Sequence, residues 1–363
     1  MGQEKVDLAQ LTLLIQNAGA GWQGGYTTLS ELPAEEQKKR LGFVPGPGEP
    51  SLTDREATAS ANLSATGIGA VGAPASFDWR NVGGGNFITP VTDQGGCGSC
   101  VAFGATATVE GAFRVQRNDP NLAVDLSEAQ LFYCYARSQG RNCGNGWWVP
   151  PALDCYKTGV VDEACFPYTA GDQNCNLCSD SQSRLTKITG WHAIAAGADM
   201  KAWLSTRGPL ATCFTVYNDF FSYKSGVYKH VTGGLAGGHC VCCVGYDDVQ
   251  GCWICKNSWG AGWGDAGFFR IAYGECGIDA SMWAVDGIEE TGWLPNQKVL
   301  GAWTIDQDRN AWVYLSLVGW RKLAKDNDNI FFNLLSDLLA AKAAGRLVGV
   351  YQQQGVIRQI YVW

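Results

Sequence analysis

Gln94-Gly95-Gly96-Cys97-Gly98-Ser99-Cys100-Val101-Ala102-Phe103 is the stretch from which the fold is read. From Cys100 to about Arg117 apolar residues recur at helical spacing with small residues between them, so the Cys100 thiol stands at a helix N-terminus. The helix dipole and free N–H groups there favour a thiolate, and nearby positive charge brings a thiol from a pKa of about 8.5 into a range of roughly 3.5 to 7.5. Gly95, Gly96 and Gly98 leave backbone uncovered for a substrate. Taken alone, Cys97 and Cys100 read equally well as a CxxC redox or metal pair, and residues elsewhere in the chain decide between the two.

The chain has three histidines, His192, His230 and His239. Only His239 has surroundings suited to a general base. Gly237 and Gly238 open space before it, and Cys240 to Tyr246 reads as a buried strand. A second apolar run, Gly251 to Cys255, leads into Lys256-Asn257-Ser258-Trp259-Gly260, with Asp247 to Gln250 as the turn between. In that hairpin His239 and Asn257 lie side by side. The asparagine oxygen holds one ring N–H and turns the other nitrogen to a thiol, the logic of nucleophile, base and orienter. Trp259 is placed to cover that bond from water. A histidine on a strand is by itself more often structural; its pairing with the Cys100 helix reverses the balance.

These residues resemble the papain-like cysteine peptidases, over roughly Ala75 to Ile288 and in family order. The other landmarks are Ser76-Phe77-Asp78-Trp79-Arg80, Asp125-Leu126-Ser127-Glu128-Ala129-Gln130-Leu131 and Asn142-Cys143-Gly144-Asn145-Gly146. Ser225-Gly226-Val227-Tyr228 with Gly237-Gly238-His239 looks most like the cathepsin B branch. The resemblance implies an α+β, two-lobed fold: a helical lobe carrying Cys100, a β-barrel lobe carrying His239 and Asn257, and the active site in the cleft between. It makes Cys100 the nucleophile, His239 the base and then acid, Asn257 the orienter and Gln94 the oxyanion donor. Gly98, Ser99, Gly146, Gly238, Trp259 and Ser281 become substrate-binding positions. Gly146 would pair its backbone with an extended substrate, and Ser281, on the floor of the main specificity pocket, would favour an apolar residue there. No cofactor or metal is implied.

Two positions depart from the family pattern. Val101 replaces the tryptophan usual after the nucleophile, and Gly144-Asn145-Gly146 reorders the usual Asn-Gly-Gly. Cathepsin B carries a loop with paired histidines that confers dipeptide removal, and Cys143 to Cys178 contains no histidine. An endopeptidase is therefore expected.

Of the fifteen cysteines the resemblance pairs Cys97 with Cys143, and Cys134 with Cys175 or Cys178, leaving Cys165 to take the remaining one. Disulfides place the chain in an oxidising compartment, secreted or lysosome-like. Cys240, Cys242, Cys243, Cys252 and Cys255 have zinc-ligand spacing on facing strands, but the family has small apolar core residues there and free cysteine buries readily.

Length leaves room for flanks. Residues 1–74 read as a propeptide and linker, residues 75–288 as the peptidase domain and residues 289–363 as a compact α+β module. Leu8 to Ile15 and Leu29 to Leu41 have helical spacing, with Ser30 as an N-cap, and beyond Phe43 the composition is that of a linker. By resemblance this flank blocks Cys100, although it lacks the family's long helical pattern; a disordered tail is the competing reading. In the C-terminal module Val299 to Ile305, Ala311 to Val318, Leu347 to Tyr351 and Val356 to Trp363 have strand character. A helix from Asn329 to Ala344 follows Asp328 as N-cap and buries Ile330, Phe331, Leu334, Leu335, Leu338 and Leu339. Its many aromatics fill a small core or line a sugar or peptide surface, and its ligand is left open.

Met1 to Asp7 opens polar, with no secretory leader visible, so a leader already removed is expected. No apolar run reaches membrane-spanning length. A net charge of −7 without a basic block gives nucleic acid no footing. Protein or peptide substrates and the chain's own propeptide are the expected partners. The expected activity is that of a cysteine endopeptidase zymogen working through a thioester. Its alternatives are a transpeptidase using the same thioester, and an inert papain-like binding or adhesive protein.

Overall fold

The computed structural model describes residues 7–66, 72–289, 292–316, 318–353 and 356–363. Met1 to Val6, read above for a leader, lie outside them, as do residues 67–71 of the expected linker, 290 and 291 near the module boundary, and 317, 354 and 355. Among the described residues no helix is long and apolar enough to cross a membrane.

The N-terminal segment contains α1 (Leu8–Asn17), the short strand β1 (Trp22–Gly24), α2 (Ala34–Lys38) and α3 (Leu52–Thr66). Asp7 caps α1 by accepting the Ala9 and Gln10 N–H groups. The expected helix over Leu29 to Leu41 shrinks to α2, because Ser30 caps nothing and instead accepts the Thr27 N–H. The expected linker beyond Phe43 contains α3. Its start is a reciprocal capping box, in which Ser51 Oγ accepts the Asp54 N–H and Asp54 accepts the Ser51 N–H. Small polar residues give α3 no apolar stripe, which is why periodicity misses it.

After β2 (Ser76–Asp78) comes the central helix α4 (Cys100–Arg117), nearly every residue of which is buried. Its small residues let the second lobe approach: a Cβ at Gly104 would lie 2.7 Å from Cys240 Sγ, and one at Gly111 2.6 Å from Pro209. With α5 (Val149–Thr158) and the π-helical turn Gln130–Ala136 it forms a core around Leu131, Phe132, Trp147, Leu153 and Tyr156. Three disulfides tie this lobe, Cys97–Cys143, Cys134–Cys175 and Cys165–Cys178.

The other lobe carries β3 (Lys187–Ile194), α6 (Gly197–Leu204), β4 (Leu210–Tyr217), β5 (Tyr223–Tyr228), β6 (Leu235–Asp247), β7 (Cys252–Lys256), β8 (Phe268–Ala272) and β9 (Met282–Glu289). They form one sheet in the order β1-β5-β8-β7-β6-β4-β9-β3, with β2 beside β6. Its core is aromatic, built on Phe214, Phe220, Trp253, Trp259, Trp263 and Phe269. The N-terminal segment supplies the edge strand: Trp22 pairs with Gly226, and Leu11, Ile15, Trp22 and Leu29 enter the same core. An edge that would otherwise template foreign strands is thus closed by the chain itself.

The C-terminal module is a closed barrel of β10 (Gly292–Thr304), β11 (Ala311–Leu315), β12 (Gly319–Leu323), β13 (Leu347–Gln353) and β14 (Val356–Val362), with α7 (Asp328–Ala343) against it. The stretch expected as one strand to Val318 turns back into β12, with Leu315 pairing with Gly319. Asn327, not Asp328, caps α7, by accepting the Ile330 N–H. Ile330 and Leu339 stay exposed at 38% and 42%, while Phe331, Leu334, Leu338 and Ala341 face the core.

Leu11 is fully buried beneath β1, and removing its side chain leaves a cavity worth about 2 to 5 kcal/mol. Leu11→Ala is expected to release the N-terminal segment, read as faster hydrogen exchange at Trp22 to Gly24 with β6 and β7 still protected. Unchanged exchange at Trp22 to Gly24 would contradict this docking.

Candidate active site

Cys100 opens α4, on the helical lobe, and is completely buried. Across from it, β6 and β7 pair with Cys242 opposite Lys256, which brings His239 near Asn257. His239 Nε2 lies 2.7 Å from Asn257 Oδ1, and the same oxygen accepts the Ser258 N–H at 2.8 Å. An oxygen that only accepts requires the proton on Nε2, so the Nδ1 lone pair is free. That Nδ1 is buried without a hydrogen-bond partner. The Trp259 ring lies 4.6 Å from the imidazole and excludes water from the His–Asn bond. The other two histidines are engaged elsewhere, His192 with Asp286 and His230 with Asp219 while stacked on Tyr217.

Gln94 is held at both ends. Its Oε1 accepts the Ser258 hydroxyl at 2.7 Å, and its Nε2 donates to the Cys97 carbonyl at 2.8 Å and the Arg40 carbonyl at 2.9 Å. Ser258 therefore joins Gln94 on one lobe to Asn257 on the other. Sequence reasoning quoted Ser258 only as a neighbour of Asn257, since no spacing rule ties it to Gln94. Tyr168 was also missed: its hydroxyl donates to the Gln94 carbonyl at 2.8 Å and pairs with Ser99 Oγ at 2.8 Å. Ser99 is fully buried on that side, so its side chain braces the loop and does not line the cleft.

The N-terminal segment runs through this site. The Gly42 N–H donates to Cys100 Sγ at 3.3 Å, Phe43 N–H to the Gly238 carbonyl at 3.0 Å and Val44 N–H to the Trp147 carbonyl at 3.0 Å. Trp147 N–H returns a bond to the Gly42 carbonyl at 2.8 Å. Backbone pairing with this segment is made by Trp147. Gly146 instead makes room, since a Cβ there would lie 2.0 Å from the Gly42 oxygen. Gly98 borders the same strand, 3.3 Å from Gly42 Cα to the position of a Cβ. Further along, Arg55 reaches Ser281, its Nη1 donating to Ser281 Oγ at 3.0 Å.

This covering reverses the electrostatics expected at a helix N-terminus. Burial pushes the Cys100 thiol up to about 12, with the neighbouring Cys240 adding to it and backbone N–H groups, Gly42 among them, only partly offsetting it. Burial also pulls His239 down to about 4. Desolvation disfavours the charged form of each group, so both are neutral between those limits. Cys240, Cys242, Cys243, Cys252 and Cys255 are buried free thiols, and among the described residues no His, Cys, Asp or Glu group is placed to hold a metal.

The sequence profile described as papain family cysteine protease matches residues 73–285. The chain belongs to the papain family. It is 40% identical over 245 residues to cathepsin B-like CP3 of Giardia intestinalis, spanning 63% of this chain and 78% of that one. It is 35% identical over 213 residues to a cathepsin L-like proteinase of Fasciola hepatica, covering 56% and 63%. Procathepsin L2 of Tenebrio molitor superposes at a TM-score of 0.60 with 27% identity, over 77% of this chain and 88% of that one. Procathepsin B S9 of Trypanosoma congolense shares the fold at a TM-score of 0.62 and 22% identity, over 79% and 100%. In this papain-like cysteine peptidase a segment ahead of the family region covers Cys100.

The covering segment should loosen in acid. A covered His239 takes up its proton near pH 4 instead of its ordinary 6.5, so the uncovered state binds more protons in that window. Covering is fully stable above about pH 6.5 and loses up to about 3 kcal/mol as pH falls to about 4. In a Cys100→Ala chain, protection factors at the Phe43 and Val44 amides are expected to drop over that interval. Flat protection from pH 7 to 4 would refute the assignment.

Proposed function

We propose that this chain is the zymogen of a cysteine endopeptidase, with residues 1–74 as the propeptide, 75–288 as the peptidase and 289–363 as an accessory module. One observation carries the reading: the N-terminal strand gives the Cys100 sulfur an amide N–H, while its Arg40 carbonyl occupies the Gln94 amide. The sulfur accepts a backbone N–H from this segment, which fills the site.

Removing the strand lets water return. The Cys100 thiol then falls toward its ordinary range, aided by the α4 dipole, as His239 rises, and the proton passes from Sγ to the imidazole. The thiolate attacks a peptide carbonyl carbon. Charge collects on the carbonyl oxygen, where Gln94 Nε2–H and the Cys100 N–H donate. The C–N bond breaks, the amine leaves with the proton from His239, and a thioester remains on Cys100. His239 then takes a proton from water, whose oxygen attacks the thioester; the acid departs and the thiolate is restored. Asn257 keeps the ring turned throughout, and Trp259 keeps their bond dry. Three disulfides support a secreted or lysosome-like location.

Incubation of the full chain at about pH 4 to 5 with a thiol is expected to give a species beginning near Ser76 together with activity on a fluorogenic peptide. Neither should arise from Cys100→Ala. If trimming by an outside protease also yields no activity, the peptidase reading fails. In the trimmed enzyme Gln94→Ala should lower kcat by about 100-fold to 1000-fold with little change in KM. Ser258→Ala should lower kcat less, because it frees the Gln94 amide without removing it; an equal loss in KM would instead mark a binding role.

A further inference from the structure

The outward face of β10, β11 and β12 takes no part in the peptidase site. Ala311, Val313 and Leu315 on β11, and Arg321 and Leu323 on β12, are buried inside the barrel. Strand alternation therefore turns Trp312, Tyr314, Trp320 and Lys322 outward. They stand in two rows across the sheet, Trp303, Trp312 and Lys322 in one and Gly301, Tyr314 and Trp320 in the other. A Cβ at Gly301 would lie 3.6 Å from Trp320 Cη2, so that indole reaches back across β11 over a position left bare. Trp303 and Trp320, at diagonal corners of the patch, are 50% and 46% exposed, and neither fills the core.

Two cations lie over the rings between those corners. Lys322 Nζ is 5.5 Å from the Trp312 centroid, and the guanidinium of Arg207, just beyond α6, is 4.8 Å from the Tyr314 centroid. Among the described residues neither cation has a carboxylate or a side-chain hydrogen bond as partner. Acids elsewhere in the module are engaged, Asp326 with Arg358 and Asp328 with Arg309. Burial pulls Arg207 below its ordinary pKa, because it has given up water without gaining an anion. Beside it, where β3 and α6 meet β11, opens a cavity of about 520 Å³ lined by Asp199, Trp203 and Tyr314 among others. Residues 292–363 hold eight Lys and Arg against five Asp and no Glu, in a chain whose net charge is −7.

We propose that this face and the adjoining cavity bind an acidic oligosaccharide, its sugar rings on Trp303 and Trp320 and its carboxylate or sulfate groups on Lys322 and Arg207. An indole face is an apolar platform that suits the C–H side of a sugar ring. A cation over an exposed ring gains little from it, so an incoming anion draws each cation off and opens a second ring face beneath. Single-stranded nucleic acid would also stack on indoles, but its phosphates need a continuous basic track. Here Asp306 and Asp308 in the β10–β11 turn and Asp199 in the cavity interrupt any such track. Those carboxylates are suited to accept sugar hydroxyls.

The full-length Cys100→Ala chain, which cannot cleave itself, would be titrated by calorimetry and tryptophan fluorescence at physiological salt. The probes are heparin hexasaccharide, hexagalacturonate, neutral maltohexaose and a short oligothymidylate. At least one acidic hexasaccharide is expected to bind about tenfold or more tightly than maltohexaose and oligothymidylate, and comparing the two acidic probes separates sulfate from carboxylate recognition. Lys322→Gln and Arg207→Gln should each weaken that binding about tenfold, the scale of one charge-assisted hydrogen bond. Trp303→Ala with Trp320→Ala should remove the fluorescence change and most of the affinity. No binding of either acidic probe, equal binding of maltohexaose, oligothymidylate as tight as the acidic sugars, or affinity unmoved by these substitutions would each overturn the proposal. Should a variant not fold, the order of affinities in the chain with an unaltered barrel decides alone. No step of the titration uses catalysis, so its result is independent of the peptidase reading.

Discussion

The closeness of α4 to β6 is the constraint on which the site depends. Cys100 belongs to one lobe and His239 to the other, so their relation is only as well defined as the contact between those elements. Gly104 removes the side chain that would strike Cys240, and the run of Ala and Thr around it keeps the helix surface flat. Polar bonds then fix the register. Lys256 donates to Thr89 at 2.9 Å and Thr89 to Glu110 at 2.6 Å, a buried link from β7 to α4. Ser258 and Gln94 make a second link, directly beside the catalytic atoms. Buried polar chains of this kind are costly to break, because each partner left behind has no water to turn to.

The same burial that aligns the groups also silences them. A thiol and an imidazole side by side become a reactive ion pair only if the pair is solvated or otherwise compensated, and a covering strand withdraws the solvent from both. On the proposed zymogen reading, inhibition has two parts, occupation of the sulfur by the Gly42 N–H and desolvation that holds each group neutral. The anchors lie far from the chemistry. Trp22 and Leu11 sit in the aromatic core at one end, and Arg55 with Glu56, which accepts the Tyr217 hydroxyl at 3.1 Å, at the other. Between these anchors the chain turns through α2, and backbone bonds to Gly238 and Trp147 hold Gly42 to Val44 in place.

How far the site was legible follows from what each residue's role requires. Cys100, His239 and Asn257 had to be those residue types, in a glycine-rich turn, at a strand start and at a strand end, and the chain offers few alternatives. The Ser258 to Gln94 bond, Tyr168 behind Ser99 and the pairing of Trp147 with Gly42 and Val44 arise from tertiary approach, for which a linear pattern holds no signal. The helix α3 stood between these cases. Its composition read as linker, and the cap in Ser51-Leu52-Thr53-Asp54 went unread; the helix is held by docking against Gly277 and Ser281 and not by an apolar stripe of its own. The barrel was half legible: its strands alternate, but the turn into β12 and closure by β14 depend on long-range pairing.

The barrel is also less independent than an appended module would be. Gln116, near the C-terminal end of the helix that opens with Cys100, exchanges two hydrogen bonds with Ile288 at 3.0 and 2.8 Å, just ahead of β10. Arg117 donates to the Trp293 carbonyl at 3.2 Å, and Arg207 lies 4.8 Å from the Tyr314 ring. These contacts place the module on the side of α4 away from the cleft. It is joined near the C-terminal end of α4, the helix that opens with Cys100. A closed barrel has no free strand edge, so what it presents outward is side chains alone, among them Trp303 and Trp320, each about half exposed. Attachment through α4 makes the orientation of that surface relative to Cys100 a property of the peptidase core itself.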